Sequence, residues 1–323
     1  MQRTTNPTRP RSIDELLDPA LAARLGQLDL TSRKIFAGKL KGERRSKRRG
    51  QSVEFADHRP YVVGDDLRHI DWNIYGRLDR FFLKLFLEEE DLSLHIVIDC
   101  SESTDCGEPN KFFFMQRLAM ALGFVGLVNL NRVAVTAIGG QLDSATRPAD
   151  RSAEDGSAEP ALHTIRDLRG RRRVSDLGRF VCSLRPAGST SFAQQARRIA
   201  LTRRGRGVMV VLSDFLMKEG YEEGLRLLVG RGYDLFAVQV LSPQEVEPDL
   251  AGDLRLRDVE DLDTAEVTIS APLLKRYRQT LAAYCEQLRT FCARREIACL
   301  SVRSDMAIDT LLLDDLRRRG LVR

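Results

Sequence analysis

Two apolar runs that each stop at an aspartate constrain this chain more than any other feature. Leu92-Ser-Leu-His-Ile-Val-Ile98 runs into Asp99, and Val208-Met-Val-Val-Leu212 runs into Ser213-Asp214. Short, nearly unbroken apolar segments of this kind read as strands buried on both faces, the situation of a parallel sheet covered by helices on either side. Ligands of such open sheets bind beyond the carboxyl ends of the strands. Asp99 and Asp214 therefore mark where chemistry is expected.

The stretch between and beyond them alternates between helix and strand periodicity. Residues 111–129 place Phe112, Met115, Leu118, Leu122, Val125 and Val128 at helical spacing. Residues 132–138 read as a strand, and 161–168 and 175–184 as helical pieces. Helices over 192–202 and 222–229, strands over 208–212 and 235–241, and a hairpin within 254–268 follow. A long helix over 272–295 with Ser270 as its cap, a strand over 297–302 and a helix over 308–319 close the chain. Residues 147–160 are polar and read as a surface loop. Upstream, Ser12 and Glu15 have capping-box spacing, opening a short helix that Pro19 breaks or bends. A second short helix is expected over 32–40 and strands from Gln51 to Glu88. The expected division is 1–30, a flexible basic arm and short helix; 31–90, an N-terminal region with strands; and 91–323, the α/β domain.

Composition excludes several classes. Hydrophobic residues make up 43% and charged residues 30% of the 323 positions, ordinary values for a globular chain. The longest apolar stretch, residues 119–128, is half of the roughly 20 residues needed to span a bilayer. No transmembrane segment or apolar signal core is expected, and a cytoplasmic location follows as the default. Six cysteines without a CxxC pair suggest small apolar residues in a reduced core, not a metal cluster. Of the net charge of +5, residues 1–50 carry +8, concentrated between Lys39 and Arg49, so the remainder sums to −3. That run could meet nucleic acid, an anionic surface or an acidic protein. It lacks the interleaved aromatics of a nucleic-acid platform, which argues against nucleic acid as a partner.

Asp99-Cys-Ser101-Glu-Ser103 offers three oxygen-bearing side chains at alternate positions of an extended turn. One carboxylate and two hydroxyls are hard ligands of low total charge, which suits Mg²⁺, with Mn²⁺ or Ca²⁺ as alternatives. Thr190, in a Gly-Ser loop ahead of a helix, and Asp214 could reach the same sheet edge and complete the ring. Ser and Asp are also common turn formers and helix caps, so the triplet alone has a purely structural reading.

The run Gly64-Asp65-Asp66-Leu-Arg68-His-Ile-Asp71-Trp72, with Glu54, Arg59 and Tyr61 before it and Arg77, Lys84 and the DCSES segment after it, resembles the signature of the domain of unknown function 58 family. Lys111 opening the next helix and the RDVEDLDTAE segment fit as well, so the resemblance extends over roughly residues 30–320. Thr104 and Asn131 depart from the residues common at those positions in the family. The resemblance implies an α/β, von Willebrand A-like (Rossmann-like) doubly wound sheet with an N-terminal α+β extension. It further implies a metal-ion-dependent adhesion site at Asp99, Ser101, Ser103, Thr190 and Asp214, and association with MoxR-type AAA+ ATPases. Glu54, Arg59, Asp65, Asp66, Arg68, Asp71 and Trp72 form the family-specific block. They could be a partner surface, or an ion-pair and hydrogen-bond network of structural purpose with Trp72 packed among it.

Two classes of function compete for the sheet edge, beside a third reading, nucleic-acid or anionic-surface binding through the basic N-terminal arm. One is a non-enzymatic binding and scaffolding protein whose cation bridges to an acidic client, working with an AAA+ ATPase. The other is a hydrolase using the same ion to activate water. GxSxG and HExxH motifs are missing, and His58, His69, His95 and His163 have no ligand spacing, which favours the first.

Overall fold

The computed structural model describes residues 9–10, 12–31, 54–63, 67, 70–87, 92–143, 162–189, 191–202, 207–230, 232–257 and 264–323. The chain forms two compact units, one of residues Arg44–Asp91 and the other of Met1–Glu43 with Leu92–Arg323. The expected helix over 32–40, the loop over 147–160 and the basic run from Lys39 to Arg49 lie outside the described residues.

In the larger unit, α1 (Ile13–Leu16) and α2 (Pro19–Leu25) come first. Ser12 sits at the start of α1, but its side chain makes no capping bond, so the expected capping box is not formed. Instead Asp18 caps α2 by accepting from Ala20 N at 3.3 Å, and Pro19 takes the first helical position, where its missing N–H costs nothing. Leu16, Leu21, Leu25 and Leu30 are buried in the main core, so residues 16–30 pack against the large unit.

Within Arg44–Asp91, β1 (Glu54–Pro60) pairs antiparallel with β2 (Phe82–Leu87), with α3 (Trp72–Leu78) between them in sequence. The helix was not anticipated. Asp71 makes it, because its Oδ1 accepts from Asn73 N at 2.9 Å and Ile74 N at 3.2 Å.

The large unit continues with β3 (Ser93–Asp99), α4 (Lys111–Val128), β4 (Arg132–Ile138), the short β5 (Gln141–Leu142), β6 (Leu162–Leu168), α5 (Val174–Ser183), the short β7 (Leu184–Arg185) and α6 (Phe192–Thr202). Then come β8 (Gly207–Ser213), α7 (Glu222–Val229), β9 (Tyr233–Leu241), α8 (Pro243–Val246), the hairpin β10 (Gly252–Arg257) and β11 (Thr264–Ile269), α9 (Ala271–Ala293), and β12 (Ala298–Arg303). Last is α10 (Ile308–Thr310), extended by a wider turn over Leu311–Leu316. Ser270 occupies the position before α9, again without a side-chain cap bond.

Six strands form one sheet in the order β12-β9-β8-β3-β4-β6. The first five run parallel, and β6 lies antiparallel against β4. This corrects the helix expected over 161–168 and makes the sheet mixed. Leu-His-Thr-Ile-Arg-Asp-Leu carries β-branched Thr164 and Ile165, and pairing along β4 satisfies its backbone, which outweighs a helical period supported by one short run. Each face has its own core. Leu94, Ile96 and Ile98 of β3 pack with residues of α1, α2, α4, α5 and α10. Val97 packs with residues of α6, α7 and α9. The helix α4 is long and apolar enough to cross a membrane by composition, but 78% of it is buried against the sheet and its neighbours. It is therefore buried nearly all round, where a one-sided stripe was expected. His95 faces Thr136, with Nε2 to Oγ1 at 2.8 Å, a structural hydrogen bond inside the sheet.

Candidate metal centre

Adjacent parallel strands deliver the two aspartates. Ile98 of β3 pairs in register with Leu212 of β8, so Asp99 and Ser213 leave the sheet side by side, with Asp214 one residue further. Ser213 Oγ donates to Asp99 Oδ2 at 2.6 Å, and Ser101 N donates to Asp99 Oδ1 at 3.0 Å. The second bond folds the chain back on itself and is the turn-forming role that an aspartate here also has. Ser101 Oγ and Ser103 Oγ then lie 3.0 Å apart, and Thr104 Oγ1 closes the turn by donating to Ser101 O at 2.7 Å.

The loop ahead of α6 is stitched to this turn. Glu102 N donates to Gly188 O at 2.9 Å, and Ala187 N donates to Cys100 O at 3.1 Å. Thr190 itself lies outside the described residues, but its neighbour two positions upstream is bonded to the middle of the DCSES segment. Gly140, at φ +70°, makes room for this junction, since a Cβ there would collide with Cys100 Cβ and Arg185 O.

Behind the aspartates lies a cluster the sequence reading missed. Lys111 at the start of α4 is completely buried. Its Nζ donates to Asp214 Oδ2 at 2.6 Å and to Glu245 Oε1 at 2.8 Å. Leu216 N donates to the other oxygen of Asp214 at 3.0 Å. Glu245 is held in turn by a capping box at α8, where Ser242 N donates to its Oε2 at 2.7 Å and Ser242 Oγ accepts from Glu245 N at 3.2 Å. The box was visible in Ser242-Pro-Gln-Glu245; the lysine was hidden, because lysine is seldom fully buried.

Electrostatics follow from this count. Burial would push the Lys111 ammonium down, but the Asp214 and Glu245 carboxylates outweigh it and hold its pKa above the usual lysine range. Burial, and then the charge of Asp214, push Asp99 up from 3.8 to about 6 against the hydrogen bonds of Ser213 and Ser101. Asp214 and Glu245 share the Lys111 ammonium, and Asp99 lies close enough to Asp214 to feel its charge, so the carboxylates outnumber the cation among the described residues of this cluster.

Among the described residues no group of three or more His, Cys, Asp or Glu side chains gathers as a metal cage. The donors available are two carboxylates and two hydroxyls, a set of hard oxygens that fits a magnesium ion. Oxygens about 2.1 Å from an octahedral ion lie about 3 Å from one another, which matches the Ser101–Ser103 spacing as well as a hydroxyl–hydroxyl hydrogen bond does.

The family-specific block divides. Asp71 is buried and structural, capping α3 and pairing with His58 Nε2 at 2.9 Å through Oδ2. Trp72 stands 63% exposed, edge-on to Tyr75 and Phe81 at centroid distances of 6.1 and 6.4 Å. Arg59 Nη1 donates to Pro60 O at 3.5 Å. Glu54 opens β1, and Asp65, Asp66 and Arg68 lie outside the described residues.

Fold and site together define an α/β protein with a central mixed sheet and an acidic, hydroxyl-rich carboxyl edge. The chain belongs to the family described as protein of unknown function DUF58, which matches residues 57–287. The uncharacterized protein Rv1480 of Mycobacterium tuberculosis is 28% identical over 311 residues, 94% of this chain and 92% of its own length. The uncharacterized protein MAV169 of Mycobacterium avium is 35% identical over 124 residues, 36% of this chain and 70% of its own. Among solved structures, the conserved hypothetical protein BatB from Bacteroides thetaiotaomicron overlaps with a TM-score of 0.41 at 11% identity, covering 70% of this chain and 98% of that one. An aerotolerance-related membrane protein from Bacteroides fragilis overlaps with a TM-score of 0.40 at 14% identity, covering 70% and 99%. Both overlaps are too loose to carry a function across.

Proposed function

We propose that this chain is a von Willebrand A-like, non-enzymatic binding protein of the cytoplasm. Asp99, Ser101, Ser103 and Asp214, joined by Thr190, would hold a Mg²⁺ ion and present it to an acidic group on a protein client. One observation carries the reading: neighbouring parallel strands bring two buried aspartates to one sheet edge, beside a pair of serine hydroxyls 3.0 Å apart. When bound, the ion supplies an electrophilic position for an incoming carboxylate. The chain's own residues fix the donors, since Ser213 orients Asp99 and the Ser101 backbone closes the turn. The partner expected from the family resemblance is a MoxR-type AAA+ ATPase, which would provide the energy for assembly or maturation of client complexes.

The test is capture of a purified MoxR-type ATPase by the immobilised protein. Binding should require Mg²⁺, vanish with EDTA and fall at least about tenfold in Asp99→Ala, as expected for loss of a charged ligand. Capture indifferent to both treatments would overturn the reading.

A further inference from the structure

The strongest unexplained feature is a fully buried lysine wedged between two carboxylates, one of them a candidate ligand. Lys111 Nζ is 2.6 Å from Asp214 Oδ2 and 2.8 Å from Glu245 Oε1. It cannot swing away. The far oxygen of Asp214 is held by Leu216 N, and the far oxygen of Glu245 by Ser242 N and, at 3.0 Å, Ser242 Oγ. Gly107, at φ +83°, lets the loop before α4 lie against Ser242, since a Cβ there would collide with the serine's own. Lysine, loop and capping box are thus built as one piece, and the ammonium is a fixed charge.

We propose that Lys111 is the charge-setting residue of the candidate metal centre. This rests on the metal reading above and extends it. Asp99, Asp214 and Glu245 would together carry three negative charges in a buried region; Lys111 reduces the surplus to two, the charge of one divalent ion. It also commits one oxygen of Asp214 to an ammonium. Affinity at oxygen-donor cation sites is tuned by the charge of the ligands and the rigidity of the site. A site pared down in this way holds its ion without excess attraction and leaves coordination free for a carboxylate from outside.

The sign of two substitutions separates this role from mere scaffolding. Lys111→Met removes the positive charge and should tighten Mg²⁺ binding at least about tenfold, whereas Glu245→Gln removes a negative charge and should weaken it by a similar factor. A lysine that only holds the scaffold would weaken binding in both variants. The experiment is calorimetric titration of the full chain with MgCl₂ alone, with melting followed by circular dichroism to establish that each variant is folded. Tighter binding in Lys111→Met with weaker binding in Glu245→Gln supports the proposal. Weaker or unchanged binding in Lys111→Met, with the unaltered chain binding normally, overturns this proposal and leaves the metal reading standing. If Lys111→Met does not fold, Lys111→Gln, which removes the charge but keeps a hydrogen-bond donor for Asp214 or Glu245, takes its place, and weaker or unchanged affinity there overturns the proposal. Absence of Mg²⁺ binding in the unaltered chain and both variants overturns the metal reading and this inference together.

Discussion

Asp99 shows how one buried carboxyl can report on the whole site. Its pKa is raised from 3.8 to about 6, first by burial and then by Asp214, so the folded chain keeps a proton that the unfolded chain releases. The stability contributed by protonated Asp99 is complete below pH 3.8 and is lost as pH rises through about 6. At about 1.4 kcal/mol per pH unit, that loss is on the order of 3 kcal/mol without a cation. Urea unfolding at pH 4 and pH 7.5 should show this loss relative to Asp99→Asn, which cannot ionise. Excess Mg²⁺ at pH 7.5 should restore most of it, and a difference that is flat with pH would count against the assignment. The ligand candidates were legible because strand ends in parallel sheets are where polar residues gather. Lys111 was not, since Lys-Phe-Phe-Phe-Met reads as the solvated start of an apolar helix, and only the fold brings Asp214 and Glu245, more than a hundred positions away, against it.

At the level of elements, segments with a clear helical period were read nearly to the residue, and those with a weak one were not. The helix over 192–202 and the one over 222–229 have the bounds expected of them. The segment 162–168 became a strand because its partner β4 was needed to decide between two weak periods. The helix α3 escaped notice for a different reason, since seven residues behind a single capping aspartate give too short a period to stand out. The helix α9 illustrates a contact no periodicity reveals. Its Tyr284 hydroxyl donates at 2.6 Å to the carbonyl of Phe215, the residue after Asp214, which sits at φ +55°. The ring also meets Tyr221 edge-on at 5.7 Å. The long helix thereby steadies the loop that carries a candidate ligand. Tyr284→Phe keeps the ring and removes the bond, so it should cost about 1 kcal/mol in chemical denaturation. It should also speed amide exchange at Leu216 more than at residues of β4. Uniform change across the sheet would show that the bond serves general packing and not this loop.

The large unit is closed by the meeting of its two distant ends, which the sequence pattern could not disclose. Leu30 bridges to Val322, Asp29 N and O both bond to Arg323 at 3.1 and 2.8 Å, and Thr31 N donates to Leu321 O at 2.9 Å. Periodicity identifies faces within an element, and it finds no partner for two short segments nearly three hundred residues apart. The alternation of strands and helices was enough to anticipate a sheet covered on both faces, but not the strand order or the antiparallel edge. It also gave no sign that residues 12–31, expected as arm and helix, share a core with α4 and α10. Leu321 is fully buried in that shared core. Leu321→Ala removes most of its side chain from a site with packing on several sides, and should destabilise the unit by about 2–5 kcal/mol. The loss should appear in urea unfolding monitored by far-ultraviolet circular dichroism. If the two ends close the unit together, Leu30→Ala should cost a similar amount, and the double substitution should cost less than the sum because the first loss already loosens the junction that the second residue helps to seal. Full additivity would mean that the ends stabilise separate parts of the core.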